Sequence, residues 1–175
     1  MGKESEVKRS YWDNGQLFEE VPLKNGIEEG RLTRWHSNGA RDREVHYKNG
    51  KKEGLETGWY ENSQKWFDTV WKNGKMDGLS THWHKNGEKR VQVIYEKGGK
   101  EGLGKWWYEN GKKKHIKHYK NDVLDGMVTE WYPSGKKKST SHYKNGIENG
   151  FRKEWDEDGR LTFEGNYIDG VEEIK

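Results

Sequence analysis

Hydrophobic positions along this chain return as large rings at a fixed interval of 24 residues. An aromatic stands at Tyr11, Trp35, Trp59, Trp83, Trp107, Trp131 and Trp155, and four residues after each comes a turn residue: Gly15, Gly39, Ser63, Gly87, Gly111, Gly135 and Gly159. Self-similarity this strict, without insertion or deletion, is the signature of a repeat architecture whose units bury their apolar faces against their neighbours. A second signal runs in phase. It reads Leu23-Lys24-Asn25-Gly26, Tyr47-Lys48-Asn49-Gly50, Trp71-Lys72-Asn73-Gly74, Tyr95-Glu96-Lys97-Gly98, Tyr119-Lys120-Asn121-Asp122, Tyr143-Lys144-Asn145-Gly146 and Tyr167-Ile168-Asp169-Gly170. Ser63 and Asp122 stand where the other repeats have Gly. A third glycine follows at Gly30, Gly54, Gly78, Gly102, Gly126 and Gly150, usually after an acid, and the acids Glu29, Glu53, Asp77, Glu101 and Asp125 read as turn solvation.

Asn-Gly between short aromatic or β-branched runs predicts a hairpin, because both residues tolerate the positive φ of a type I′ turn. Two turns per repeat predict two short strands. In Leu103-Gly104-Lys105-Trp106-Trp107 the first residue and the last share parity and so share a face. A Gly or Asn roughly every dozen residues leaves no room for a stable helix. The expected fold is all-β: an elongated single-layer antiparallel meander of seven hairpin repeats, at about 7–30, 31–54, 55–78, 79–102, 103–126, 127–150 and 151–175, forming a single domain. With about 4.8 Å per strand, some fourteen strands would extend about 65 Å. Parity counting places the Trp and Tyr ladders on one side. Tyr11 and Leu23 replace ladder aromatics in the first repeat, as expected of a cap.

Composition sharpens this picture. Only 29% of the residues are hydrophobic and 36% are charged, a balance usual in disordered chains, but aromatics reach 13%. The apolar content is concentrated in rings, each able to bury about 150–250 Å². The 33 basic and 30 acidic residues leave a net charge of +3, which gives no strong field toward nucleic acid. There is no Cys, in keeping with a cytoplasmic location, and residues 1–10 lack the apolar run of a secretory signal.

The alternation of Trp-Tyr-Glu-Asn-Gly at 107–111 with Tyr-Lys-Asn-Gly-Lys-Lys-Glu-Gly-Leu at 47–55 resembles the bacterial variant of the MORN repeat, across essentially the whole chain. That variant is typical of the YwqK-family antitoxins. The resemblance implies an antitoxin or immunity protein that neutralises a cognate toxin by binding it.

If consensus positions are scaffold, binding information sits on the other strand parity. The residue after each ladder aromatic is Trp12, His36, Tyr60, His84, Tyr108, Tyr132 or Asp156, and Trp66, Trp106, His46, His82, His118 and His142 count to the same face. Large amphipathic side chains are needed on both faces of a single-layer sheet, which accounts for any one of them. As a row, Tyr60, Trp66, His84, Trp106, Tyr108 and Tyr132 form a candidate partner-binding strip, since Trp and Tyr are enriched among interface hot spots. His82 and His84 could chelate a metal, but the pattern assigns no third ligand and no cofactor is expected.

The runs Lys112-Lys113-Lys114 and Lys136-Lys137-Lys138, with Lys89-Arg90, imply a basic patch in the C-terminal half. It reads either as a solvated edge that blocks aggregation or as a contact for an acidic protein or anionic lipid. Interleaved acids weaken a nucleic-acid reading, and no nucleic acid or small-molecule substrate is expected. Nothing in the sequence forms a catalytic constellation, so the expectation is a binding protein and not an enzyme. The alternative to an antitoxin is a MORN-type scaffold or membrane-surface organiser.

Overall fold

The structure is a computed structural model describing residues 4–174. The chain forms two compact units, Met1–Gly87 and Glu88–Lys175. Among the described residues every regular element is a β-strand. The first unit contains β1 (Ser5–Tyr11), β2 (Leu17–Lys24), β3 (Ile27–Glu28), β4 (Gly30–Trp35), β5 (Arg41–Lys48), β6 (Lys51–Lys52), β7 (Gly54–Trp59), β8 (Lys65–Lys72) and β9 (Lys75–Trp83). The second contains β10 (Lys89–Glu96), β11 (Gly99–Trp107), β12 (Lys113–Lys120), β13 (Val123–Leu124), β14 (Gly126–Trp131), β15 (Lys137–Lys144), β16 (Ile147–Glu148), β17 (Gly150–Trp155), β18 (Leu161–Ile168) and β19 (Val171–Glu172). Within each unit strands pair antiparallel with their neighbours in the chain, the meander expected of hairpin repeats.

Both turn types close as their residues require. In the second turn the Asn and Gly both take positive φ, 51° and 73° at Asn49-Gly50, the type I′ geometry. Asp122 adopts φ 68° in place of a glycine, and Ser63 adopts 65° in the first turn. Ser63 N still donates to Tyr60 O at 2.8 Å, so that turn keeps the bond made by Gly39 N to His36 O at 2.9 Å. The third glycine is not a turn. Gly30, Gly54, Gly126 and Gly150 each open a strand just after a one-residue break, and the amide of the break residue bonds back across the hairpin, as Glu53 N does to His46 O at 2.9 Å. The acids beside these glycines do more than solvate a turn. Glu29 accepts from Asn49 N at 2.6 Å, Glu53 from Asn73 N at 2.7 Å and Glu101 from Asn121 N at 2.9 Å, each bracing the next repeat's turn.

A one-residue bulge in the other hairpin decides which side chains share a face. Arg34 lies opposite Arg43 but Trp35 lies opposite Arg41, leaving Asp42 as an extra residue. The same slip leaves Phe18, Trp66, Lys114, Lys138 and Thr162 over. One inserted residue reverses the facing of everything after it on the strand. Tyr47 therefore pairs with Gly30, in phase with Leu32 and out of phase with Trp35. This corrects the expectation that both ladders stack on one side: the Trp ladder and the Tyr ladder occupy opposite faces. It also corrects the placement of three histidines. His46, His118 and His142 pair with Arg31, Leu103 and Met127 and so belong to the Trp face, whereas His82, opposite Phe67, belongs to the Tyr face.

The core is a thin stripe along the middle of the strands. On the Tyr face Leu32 packs opposite Val45, 5% and 2% exposed, and Val128 lies opposite Ser141. On the Trp face the same stripe buries Thr33, Thr57, Thr81 and Thr129. The flanking rings cover both sides, which is how so low an apolar content supports a folded chain.

Candidate functional site

The Tyr face gathers the off-ladder aromatics. In the first unit Tyr60 and Trp66 approach with ring centroids 6.1 Å apart, and Trp66 packs edge-on against Phe67 at 5.1 Å. With His36, Asp42, Glu61 and Lys85 they line an open pocket of about 470 Å³. The Lys85 ammonium lies 5.9 Å from the Tyr60 ring centre. His36 Nε2 is 2.9 Å from Trp59 O and 3.7 Å from Asp42 Oδ1. His84 occupies the position equivalent to Tyr60 one repeat later, and its carbonyl accepts from Gly87 N at 3.0 Å.

In the second unit Trp106 does not project. It lies over the strand centre, 6.3 Å from Tyr119 and 6.4 Å from His115. Gly104 makes room for it: a Cβ there would stand 2.6 Å from Trp106 Cη2. Tyr108 and Tyr132 are half-buried, and their hydroxyls donate to Trp131 O at 2.8 Å and Trp155 O at 2.9 Å, one repeat ahead. Tyr60 makes the same bond to Trp83 O at 2.7 Å. These three tyrosines thus bind successive repeats together.

The lysine runs are divided by strand alternation and the bulge. Lys112 Nζ donates to Ser134 O at 2.6 Å at the turn. Lys113 and Lys137 lie over Trp131 and Trp155 at 5.8 and 5.5 Å on the Trp face, as Lys89 lies over Trp107 at 5.9 Å. Lys114 and Lys138 lie over Tyr108 and Tyr132 on the other face, at 5.5 and 5.8 Å. Arg90 and Lys136 are exposed.

Electrostatics add groups that sequence reasoning passed over. Glu56, 2% exposed, is held by Lys52 and Arg43. At the equivalent positions of the second unit the charges are exchanged, with Arg152 held by Glu148 and Glu154. Reading Lys52/Glu56 against Glu148/Arg152, 96 residues on, was the available signal. Burial pushes the phenols of Tyr47, Tyr95 and Tyr119 up from their usual value. Burial also pushes the His115 imidazole down, against the Glu130 carboxylate 3.1 Å away. No group of three or more His, Asp or Glu that could hold a metal ion occurs among the described residues.

No curated protein matches the chain. Three of its segments, residues 7–25, 100–121 and 124–145, match a family model described as a MORN repeat variant, so the likeness to a MORN repeat, without the antitoxin family or a bacterial source, holds for those three stretches.

Proposed function

We propose that this chain is a cytoplasmic protein-binding repeat protein, an antitoxin or immunity protein that neutralises a cognate toxin by direct binding, without catalysis or cofactor. The supporting observation is the Tyr60–Trp66 pocket. Two rings that the ladders do not require stand beside unlike charges in an open pocket, the composition and shape of an interface hot spot. The bonds from Tyr60, Tyr108 and Tyr132 to the next repeat would pre-organise such a surface, which limits the entropy lost on binding.

The test is capture with the tagged full chain from its native host at moderate and high salt, followed by expression of whatever protein is recovered. One salt-resistant partner that is toxic when expressed alone, and harmless when this chain is co-expressed, is the expected result. A second reading, a scaffold at an anionic membrane surface, is favoured by the Trp face of the second unit. There Lys89, Lys113 and Lys137 lie over three ladder rings, and Leu103, Met127 and Phe151 are 36%, 42% and 63% exposed. Recovery of lipid alone, lost at high salt, would establish that reading instead.

A further inference from the structure

On the Tyr face, the chain repeatedly lays one of its own cations on an aromatic ring. Arg34 lies 5.7 Å from the centre of Phe18 while its Nε donates to the Glu19 carboxylate. Arg43 lies 5.5 Å from Phe67 beside Glu56. Lys52 covers Trp71 at 4.4 Å, and Lys114 and Lys138 cover Tyr108 and Tyr132. At Arg34, Arg43 and Lys52 a carboxylate joins the ring and the cation.

The bulge positions show where that arrangement is left incomplete. In the second unit they hold Lys114 and Lys138; in the first, the equivalent successive positions hold Asp42 and Trp66. Lys85 lies over Tyr60, but among the described residues no cation of the chain covers Trp66. The Asp42 carboxylate has His36 Nε2 at 3.7 Å, and that nitrogen is engaged more closely by the Trp59 carbonyl at 2.9 Å. Trp66 and Asp42 thus line one pocket of about 470 Å³ whose own cation, Lys85, lies over Tyr60 and leaves Trp66 uncovered.

We propose that this pocket receives an arginine side chain of a protein partner, its guanidinium stacked on Trp66 and paired with Asp42; this rests on the protein-binding reading and names the partner's chemistry. Arginine fits better than lysine because its planar group stacks on a ring and offers paired donors to a carboxylate at the same time. The Phe18–Arg34–Glu19 cluster is the chain's own example, with a ring from the same bulge position.

The test titrates the full chain, 15N-labelled at its Trp indoles, with the capped tripeptide acetyl-Gly-Arg-Gly-amide and with its citrulline and lysine counterparts. Citrulline keeps the shape and loses the charge; lysine keeps the charge and loses the plane. The arginine peptide should move the Trp66 indole resonance saturably and bind at least about tenfold more tightly than either counterpart. Trp66→Lys and Asp42→Lys copy residues that the second unit already carries at the bulge; Asp42→Lys, read at the Trp66 indole, and Trp66→Lys, read by calorimetry on the folded variant because its indole is gone, should each weaken binding by about tenfold or more. No saturable shift, or a citrulline or lysine peptide that binds as well, would overturn the proposal on the unmodified chain, without recourse to a variant. Peptide binding without a captured toxin would sink the antitoxin reading alone, and capture without a Trp66 shift would sink the pocket assignment alone.

Discussion

The Lys52 ammonium lies 2.9 Å from both carboxylate oxygens of Glu56, a side chain only 3% exposed. Arg43 Nη1 adds a contact at 3.4 Å, and the Lys52 ammonium also covers Trp71. A charge removed so fully from water depends on its partners, and removing one partner costs more than the pair is worth. Lys52 is 24% exposed, so water can take over part of its charge.

Lys52→Met should therefore destabilise the chain by about 2–3 kcal/mol, read as a lower urea midpoint at unchanged slope. The double substitution Lys52→Leu/Glu56→Val reproduces Leu124 and Val128 of the second unit. It should recover most of that loss. A double variant no better than the single would show that Arg43, not Lys52, is the partner that matters.

Gly58 is required by Phe67. A Cβ at Gly58 would meet Phe67 Cε1 at 2.3 Å, and a ring packed between Trp66 and His82 has little room to yield. Gly58→Ala should cost about 1–3 kcal/mol by overpacking. Adding Phe67→Val, the residue found at position 91, should return much of it, and thermal melts of both variants decide the matter.

The two turns that lack their glycine differ in compensation. Ser63 holds φ 65° on an exposed turn, so Ser63→Gly should stabilise the chain by about 1 kcal/mol. Asp122 holds φ 68°, but its carboxylate accepts from Lys100 N at 2.9 Å. Asp122→Gly should gain less or lose outright, because relief of the backbone is offset by a lost hydrogen bond. Equal gains at both positions would contradict this account.

Repeat length, turn positions and the all-β class were legible because each is written in residues with restricted backbone chemistry. Asn49-Gly50 announces its turn, and Trp35 and Trp59 mark the period. The facing of the second strand was not legible. Its cause is the extra residue at Phe18, Asp42, Trp66, Lys114, Lys138 and Thr162, a position that accepts aromatic, acidic, basic and hydroxyl side chains alike and so leaves no mark in composition. Counting by twos across it put Tyr47 on the wrong face and His46 with it. The pocket stayed hidden for a related reason. Asp42 and Trp66 become neighbours only when the bulge column is read down the repeats, and a search for ring-rich positions picks out Trp66 alone.

The tyrosine braces separate scaffold from contact. Tyr132→Phe keeps the ring and removes the bond to Trp155 O, and should cost about 0.5–1.5 kcal/mol of stability. Partner capture by the folded variant should be unchanged, since the ring face persists. Loss of capture at unchanged stability would place the hydroxyl itself in the interface.

His115 gives the fold a pH dependence whose sign follows from its surroundings. Burial beneath Trp106 lowers its pKa from the usual 6.5; Glu130 opposes that effect, and Lys117 and Lys114 reinforce it. The folded state therefore prefers the neutral ring, and the unfolded chain takes up the proton first as the pH falls. The stabilisation this provides is fully present above pH 6.5 and is lost progressively as the pH drops toward the folded-state pKa. Lowering the pH from about 7.5 to about 5.5 should lower the urea midpoint of the native chain. His115→Phe, which places there the residue found at 67 and 163, should flatten that part of the profile, because it removes the proton uptake while keeping a ring opposite Trp106. A variant whose midpoint falls as steeply as the native chain's would remove His115 from the account.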